Sequence, residues 1–215
     1  MDEKVSNVRS TVCSIFGNST QKRYLEHTLR VFSFAETIGI SEKAELEILM
    51  PAALVHDIGM TVDSGFPSHV EKSRLLGRWI LSDAGYPSSL IQRIIHVACS
   101  HHPKPGEALD TLEEKVLFDA DNMEIIGVFG ALRWIGRLPD TSAELCSSID
   151  MFLSMVASCS QVRASLFFTP SARKMGTTAL NWTISYFKHI KRYLQQFEMG
   201  SRNVIPISFE GSDDE

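Results

Sequence analysis

Apolar residues recur along this chain at the three- and four-residue spacing that packs one side of a helix against a core. The first such stripe runs from Val5 to Phe16 and stops at Gly17. A second predicted helix spans 22–38 and ends before Gly39. No alternating apolar and polar pattern of any length indicates a strand. The pattern therefore predicts an all-α protein.

Local signals predict where the next helix begins and ends. Ser41 is expected to cap a third helix, because its hydroxyl suits the unpaired amides of a first turn. Pro51 is expected to kink or restart that helix, since proline forfeits one backbone hydrogen bond. Either outcome leaves His56 and Asp57 near a helix C-terminus, where an unwound last turn lets neighbouring side chains converge.

The second half of the chain predicts five more helices. Their expected spans are 69–83, 88–100, one opened by the capping-box spacing of Thr111 and Glu114, one from 141 to about 158, and one from Pro170 to about Phe197. We interpret residues 1–199 as a single domain and residues 200–215 as an acidic tail that is expected to be disordered.

Composition narrows the class of protein. The chain has 215 residues, 44% of them hydrophobic, which is enough for a packed core. A net charge of −5 points to neither nucleic acid nor an anionic membrane surface. The four cysteines lack the Cys-x-x-Cys spacing and fit reduced thiols. Without a long apolar run or a signal-peptide pattern, we expect a cytoplasmic protein with no membrane partner.

The adjacent pair His56-Asp57 is the strongest chemical signal. It follows the apolar run 52–55, and burying both groups is costly unless they pair or bind a cation. Imidazole and carboxylate without thiolate suit Mn, Fe, Co, Ni or Mg. A hydrogen-bonded pair at a helix end would give the same dipeptide, so flanking motifs must decide.

Those motifs come in a specific order. His27 lies in a helical stretch upstream, His69 and the pair at 101–102 lie downstream, and Asp121 lies in the segment Asp-Ala-Asp before glycine-spaced apolar residues. From about residue 24 to 133, this order resembles the HD superfamily of metal-dependent phosphohydrolases. Within it, the chain is similar to the small stand-alone members that carry the same Asp-Ala-Asp segment.

The resemblance implies an HD-domain helical bundle with a bound divalent metal. Its ligands would be His27, His56, Asp57 and Asp121. His69 and His101 match the histidines that hold a second metal in dinuclear members, so one ion is expected and a second is left open. Asp57 would also orient the attacking water, which the metal activates. Ordinary histidines at a helix start or a buried polar cluster remain the alternatives.

Phosphate needs cationic partners beyond the metal. Lys72 is expected to contact the substrate and to assist catalysis, with Lys104 and Arg133 as further phosphate contacts. His102 is expected to line the pocket, because it adjoins the second-metal histidines. Asp119, two residues before the final ligand, is expected to orient a ligand histidine.

Substrate and partners follow from the same resemblance. We expect a small phosphate compound, a nucleotide, either a monophosphate that loses phosphate or a triphosphate that loses pyrophosphate. Met60 replaces the lysine of cyclic-dinucleotide phosphodiesterases, and no Gly-Tyr-Pro follows the 101–102 pair, which disfavours that activity. A diiron oxygenase of the same fold and a non-catalytic nucleotide-binding module remain alternatives. Phe167, Phe168 and Trp182 could pack on the core or in a homodimer.

Overall fold

The computed structural model describes residues 2–62, 68–103, 108–124, 126, 127, 130, 142–163 and 166–198, with the side chains of 142, 143, 157–163, 197 and 198 left aside. These residues form α-helices and one short 3-10 helix, with no strand among them, which confirms the all-α prediction. The helices are α1 (Glu3–Gly17), α2 (Arg23–Glu42), α3 (Leu46–Val55), α4 (His69–Asp83), α5 (Ser88–Cys99), α6 (Leu112–Met123), α7 (Ser142–Arg163) and α8 (Pro170–Glu198). The 3-10 helix, Ile58–Thr61, follows α3.

Helix α3 lies at the centre of the bundle. Every residue from Ile48 to Val55 is buried, and the helix packs against α1, α2, α4, α5 and α6. A helix that is apolar all round belongs in a core, because it has no polar face to give to water. Pro51 lies inside this helix without ending it, so the predicted restart is wrong.

Helix α2 is longer than predicted. It continues through Gly39 to Glu42 and ends at Lys43, which adopts a left-handed backbone (φ 64°). Gly39 is a packing position rather than a helix end, because an added Cβ would lie 2.5 Å from Leu49 Cδ2. Ser41 therefore does not cap α3. Its hydroxyl lies 2.7 Å from that of Ser171 and joins α2 to the start of α8.

Helix α6 begins with the predicted capping box. The Thr111 hydroxyl accepts from the Glu114 amide, and the Glu114 carboxylate accepts from the Thr111 amide. The last helix, α8, packs against both α2 and α6, so it is attached to the same bundle. Phe167 is buried in the main core, whereas Trp182 is 45% exposed and stacks on Tyr186.

Helices α7 and α8 share a smaller core of their own. Phe152 and Phe187 pack edge to face within it, beside Ile149 and Val156. Within the described ranges, no helix combines the length and the apolar character needed to cross a bilayer. The predicted acidic tail, 200–215, lies outside the described residues.

Candidate metal centre

The end of α3 brings His56 and Asp57 into the interior. His56 is the residue that follows the last helical turn, Asp57 precedes the 3-10 helix, and both are buried. The sequence predicted an unwound turn here, whereas the structure has a tighter 3-10 helix after the pair. Both side chains point toward His27. Gly59 lets α4 approach, because an added Cβ would lie 2.1 Å from the His69 carbonyl oxygen.

Helices α2 and α6 supply the other two predicted ligands. His27 Nε2 lies 3.3 Å from an Asp121 oxygen, 3.6 Å from Asp57 Oδ2 and 3.3 Å from His56 Nε2. Ligand atoms about 2.1 Å from one ion lie about 3.0–3.4 Å apart. His27, His56 and Asp57 therefore form one group whose ligand atoms all lie within 4.8 Å of one another, and Asp121 adjoins this group through His27.

Main-chain carbonyls orient two of the site histidines. His56 Nδ1 lies 2.8 Å from the Ala53 oxygen, and His101 Nδ1 lies 2.6 Å from the Ala98 oxygen. Only a protonated nitrogen can donate to a carbonyl, so in the neutral ring, the form that binds a metal, Nε2 keeps its lone pair. Both Nε2 atoms face inward, which is the orientation that a metal ligand needs.

A second group of histidines faces the other oxygen of Asp57. Oδ1 lies 3.6 Å from His69 Nε2 and 3.5 Å from His101 Nε2, whereas Oδ2 faces His27 and His56. His102 joins this group: its ring centre is 4.3 Å from that of His101. One ring nitrogen from each of the three histidines lies within 4.8 Å of the others.

The chemistry of these residues fits a bound cation. Three buried atoms of the site residues have no hydrogen-bond partner: His27 Nδ1, Asp57 Oδ1 and His101 Nε2. Unpaired buried polar atoms are costly, and a cation at Asp57 Oδ1 and His101 Nε2 would satisfy both. Imidazole nitrogens with carboxylate oxygens match the ions predicted from the sequence, Mn, Fe, Co, Ni or Mg.

His27 and His56 differ in the direction in which their surroundings shift the pKa. Burial lowers the pKa of His56 to about 4, which keeps its ring neutral. Burial also acts to lower the pKa of His27, but Asp121, Glu124 and Asp57 outweigh it and raise the value to about 9. Burial acts against charge on Asp57 as well, yet the histidines around it hold the pKa of that carboxyl well below its usual range.

Two residues with predicted roles make contacts that the sequence did not indicate. Asp119 was expected to orient a ligand histidine, but its oxygens accept from the Phe168 and Thr169 amides and the Thr169 hydroxyl, each at 2.7 Å. It ties α6 to the start of α8, because it points away from the face that carries Asp121. The Lys72 ammonium donates to the Val62 carbonyl at 2.8 Å, at the end of the 3-10 helix.

Lys104 and Arg133, the other two predicted phosphate contacts, lie outside the described residues. The structure adds two residues that the sequence interpretation did not use for this site. Glu124 is buried beside His27, and Arg30 pairs with it. Helical spacing was the available signal, since Glu124 follows Asp121 by three residues and Arg30 follows His27 by three.

Comparisons with known proteins agree with this geometry. The model of the HD domain family matches residues 24–126, a segment that includes all four predicted primary ligands. YpgQ of Bacillus subtilis strain 168 is 28% identical over 137 residues, which cover 61% of this chain and 64% of that protein.

Two solved structures share the fold. One is a predicted HD superfamily hydrolase from an uncultured Thermotogales bacterium, with a TM-score of 0.60 and 22% identity, covering 88% of this chain and 91% of that one. The other is B. subtilis YpgQ in complex with ADP, with a TM-score of 0.59 and 23% identity, covering 94% and 96%. The family match thus covers just under half of the chain, and the solved structures show that the helical fold extends over most of it.

Proposed function

We propose that this protein is a metal-dependent phosphohydrolase that cleaves a nucleotide phosphate ester or phosphoanhydride. The observation that carries the proposal is the approach of His56, Asp57 and Asp121 to His27 Nε2, each within 3.6 Å. Beside this group, Asp57 Oδ1 and His101 Nε2 are buried without a hydrogen-bond partner. These four residues would hold a divalent ion. When bound, such an ion polarises a phosphate oxygen and lowers the pKa of a coordinated water.

Asp57 would have two tasks in hydrolysis. Its Oδ2 faces His27 and His56, and its Oδ1 is buried without a hydrogen-bond partner. A carboxylate oxygen with a free lone pair can accept a hydrogen bond from the attacking water and fix its direction. Because its pKa is well below the usual range, the carboxylate stays ionised at neutral pH.

A second ion is part of the proposal. Asp57 Oδ1 faces His69 and His101, and His102 completes a group of three imidazoles. A carboxylate whose two oxygens face separate ligand groups suits a pair of ions that share it. An ion held by these residues would add positive charge beside the phosphate and would help to stabilise the charge that develops during hydrolysis.

A nucleotide is the substrate class that we favour. Support comes from the fold shared with YpgQ, which has been solved in complex with ADP. His102 is the exposed member of the second group of histidines, so its ring can contact a phosphate. Lys104 and Arg133 stay predicted phosphate contacts, and both the loss of phosphate and the loss of pyrophosphate fit the site.

A metal and substrate screen tests the proposal. The purified protein is supplied with Mn²⁺ or Co²⁺ under argon and offered nucleoside mono-, di- and triphosphates and simple phosphate esters. We expect metal-dependent release of phosphate or pyrophosphate, and the released product identifies the reaction. Asp57→Asn should abolish turnover. Glu114→Gln should retain it, because Glu114 lies in the first turn of α6, at the opposite end from Asp121. Release that needs no metal, or that survives in Asp57→Asn, would contradict the proposal.

A diiron oxygenase is the second candidate. The observation that favours it is the imidazole-rich second group, since histidine nitrogens with carboxylate suit iron. Iron in the purified protein, together with substrate oxidation that requires O2, would support it. Phosphate release under argon with manganese alone would exclude it. Efficient turnover of either kind would also exclude a non-catalytic nucleotide-binding module.

A further inference from the structure

A buried carboxylate at the end of α6 lies between two side chains of α2. Glu124 is 1% exposed, and its Oε2 lies 3.6 Å from His27 Nδ1. The Arg30 guanidinium contacts both Glu124 oxygens, through Nε and, at 3.3 Å, through a terminal nitrogen. His27 and Arg30 are three residues apart on α2, so they share a face. Glu124 therefore contacts the histidine and the arginine together.

The Arg30 guanidinium balances the negative charge of the Glu124 carboxylate. An ionised carboxylate that is withdrawn from water is costly unless a cation and hydrogen bonds accompany it. A guanidinium fork can bond both carboxylate oxygens at once, which fixes their direction as well as their charge. The outer side of Arg30 reaches Glu26, which is exposed. The pair thus connects the surface of α2 with the interior of the metal centre.

The Nδ1 of His27 has a different neighbour from the Nδ1 of His56 or His101. His56 and His101 lie just beyond helix ends, where the carbonyls of Ala53 and Ala98 are free to accept from Nδ1. His27 instead lies within α2, away from a helix end. Its Nδ1 is buried without a hydrogen bond, and the Glu124 carboxylate is beside it.

We infer that Glu124, held by Arg30, is the positioning residue that fixes the ring and the tautomer of His27 for metal binding. The carboxylate keeps the proton on Nδ1, so the lone pair of Nε2 faces Asp57, Asp121 and His56. Partners of this kind typically change metal affinity on the order of 10–100-fold. The inference rests on the proposed metal site and concerns residues outside the predicted ligand set.

The test is a titration of the 215-residue chain with Mn²⁺ alone, in which calorimetry measures the binding affinity. Glu124→Gln keeps the shape of the side chain and removes its charge. The matched control is Glu114→Gln, which removes an equally buried carboxylate from the other end of α6, where it caps the helix and lies 3.1 Å from His96. Urea unfolding of the metal-free proteins measures how much stability each substitution costs.

We expect Glu124→Gln to weaken Mn²⁺ binding on the order of 10–100-fold. Glu114→Gln should bind Mn²⁺ like the unsubstituted protein, even though it is destabilised. Arg30→Met should weaken binding in the same direction, and Arg30→Lys should restore part of it, because an ammonium keeps the charge and loses the fork. If Glu124→Gln does not fold, the Arg30 variants decide.

A spectroscopic readout separates positioning from general stability. In the Co²⁺-loaded protein, the Nδ1 proton of a ligand histidine gives a shifted, exchangeable NMR signal, and the one from His27 should exchange faster in Glu124→Gln. Unchanged Mn²⁺ affinity in both the Glu124 and the Arg30 variants would overturn the inference and leave the metal site intact. An unsubstituted protein that binds no divalent ion would instead overturn the proposed function.

Discussion

His27 and His56 face each other through their Nε2 atoms at 3.3 Å. The Nδ1 of His56 points to the Ala53 carbonyl, and the Nδ1 of His27 points to Glu124. Two ring nitrogens that both present lone pairs repel at this distance, so a proton or a cation must lie between them. Without metal the proton belongs to His27, whose pKa is raised to about 9, because burial keeps the pKa of His56 at about 4.

Metal binding should therefore release a proton from His27. A ligand imidazole must be neutral. Near neutral pH we therefore expect each protein molecule to release about one proton when it binds its first ion. Calorimetric titration with Mn²⁺ in buffers of different ionisation enthalpy measures this number. Because His27 loses its proton anyway above its raised pKa, the release should fade as pH rises through about 9. A release that grows above this pH would assign the proton to water.

The same raised pKa should appear in the stability of the metal-free protein. A raised value means that the folded state holds the proton more tightly than the unfolded chain. The stabilisation is therefore complete below 6.5, the ordinary value, and is lost as pH rises through about 9. Urea unfolding with a chelator present should show this decline, and His27→Gln should remove it. A pH-independent difference between the two proteins would contradict the assignment.

Asp119 should matter for stability and little for metal. Its oxygens accept three hydrogen bonds from the 168–169 segment at the start of α8. Asp119→Asn replaces one acceptor by a donor that faces buried donors, so we expect a loss of about 3 kcal/mol in the free energy of unfolding. Mn²⁺ affinity should stay within about threefold, since no ligand loses its partner.

Urea unfolding and Mn²⁺ titration, run side by side, check this prediction. Asp110→Asn, an exposed position before α6, is the matched control and should change neither quantity. If Asp119→Asn lowered the Mn²⁺ affinity and left the free energy of unfolding unchanged, the result would support the role that the sequence predicted, the orientation of a ligand histidine.

The sequence predicted the local features better than the packed ones. The capping box at Thr111 was readable because both partners lie within one helical turn. The end of α2 was misplaced at Gly39, because the glycine serves the approach of Leu49, a contact that no local pattern reveals. The predicted metal ligands came from their order along the chain, and the family match covers the segment that contains them.

The carboxylate partner of His27 was missed for a geometric reason. On a helix, residues two apart point about 200° from each other, whereas residues three apart lie about 60° apart. Asp119 therefore faces away from Asp121, and Glu124 faces the same way as Asp121. Applying helical spacing to this segment would have favoured Glu124, but the pairing with Arg30 required the packing of α2 against α6.

Lys72 should contribute less to catalysis than the sequence suggested. Its ammonium donates to the Val62 carbonyl, so Lys72→Met should cost about 1 kcal/mol of stability through that hydrogen bond. We expect kcat/KM for the preferred nucleotide to fall by less than about fivefold, equivalent to that free energy. Lys115→Met is the control, because its ammonium also bonds a carbonyl, that of Asp110, on an exposed surface. A 100-fold fall specific to Lys72→Met would return it to the phosphate site.

Gly59 should control the second ion. An added Cβ would lie 2.1 Å from the His69 carbonyl oxygen, 2.6 Å from the Ser73 amide nitrogen and 2.7 Å from Lys72 Cβ, so α4 must shift to admit it. Overpacking of this kind costs about 1–3 kcal/mol. Because α4 carries His69, whose Nε2 lies 3.6 Å from Asp57, the shift should weaken binding of the second ion more than binding of the first.

Gly17→Ala is the control, since nothing lies within 4 Å of its added Cβ. We expect the unsubstituted protein and Gly17→Ala to bind two Mn²⁺ ions in calorimetry, and Gly59→Ala to bind one. Two ions of unchanged affinity in Gly59→Ala would show that the approach of α4 does not set the second site.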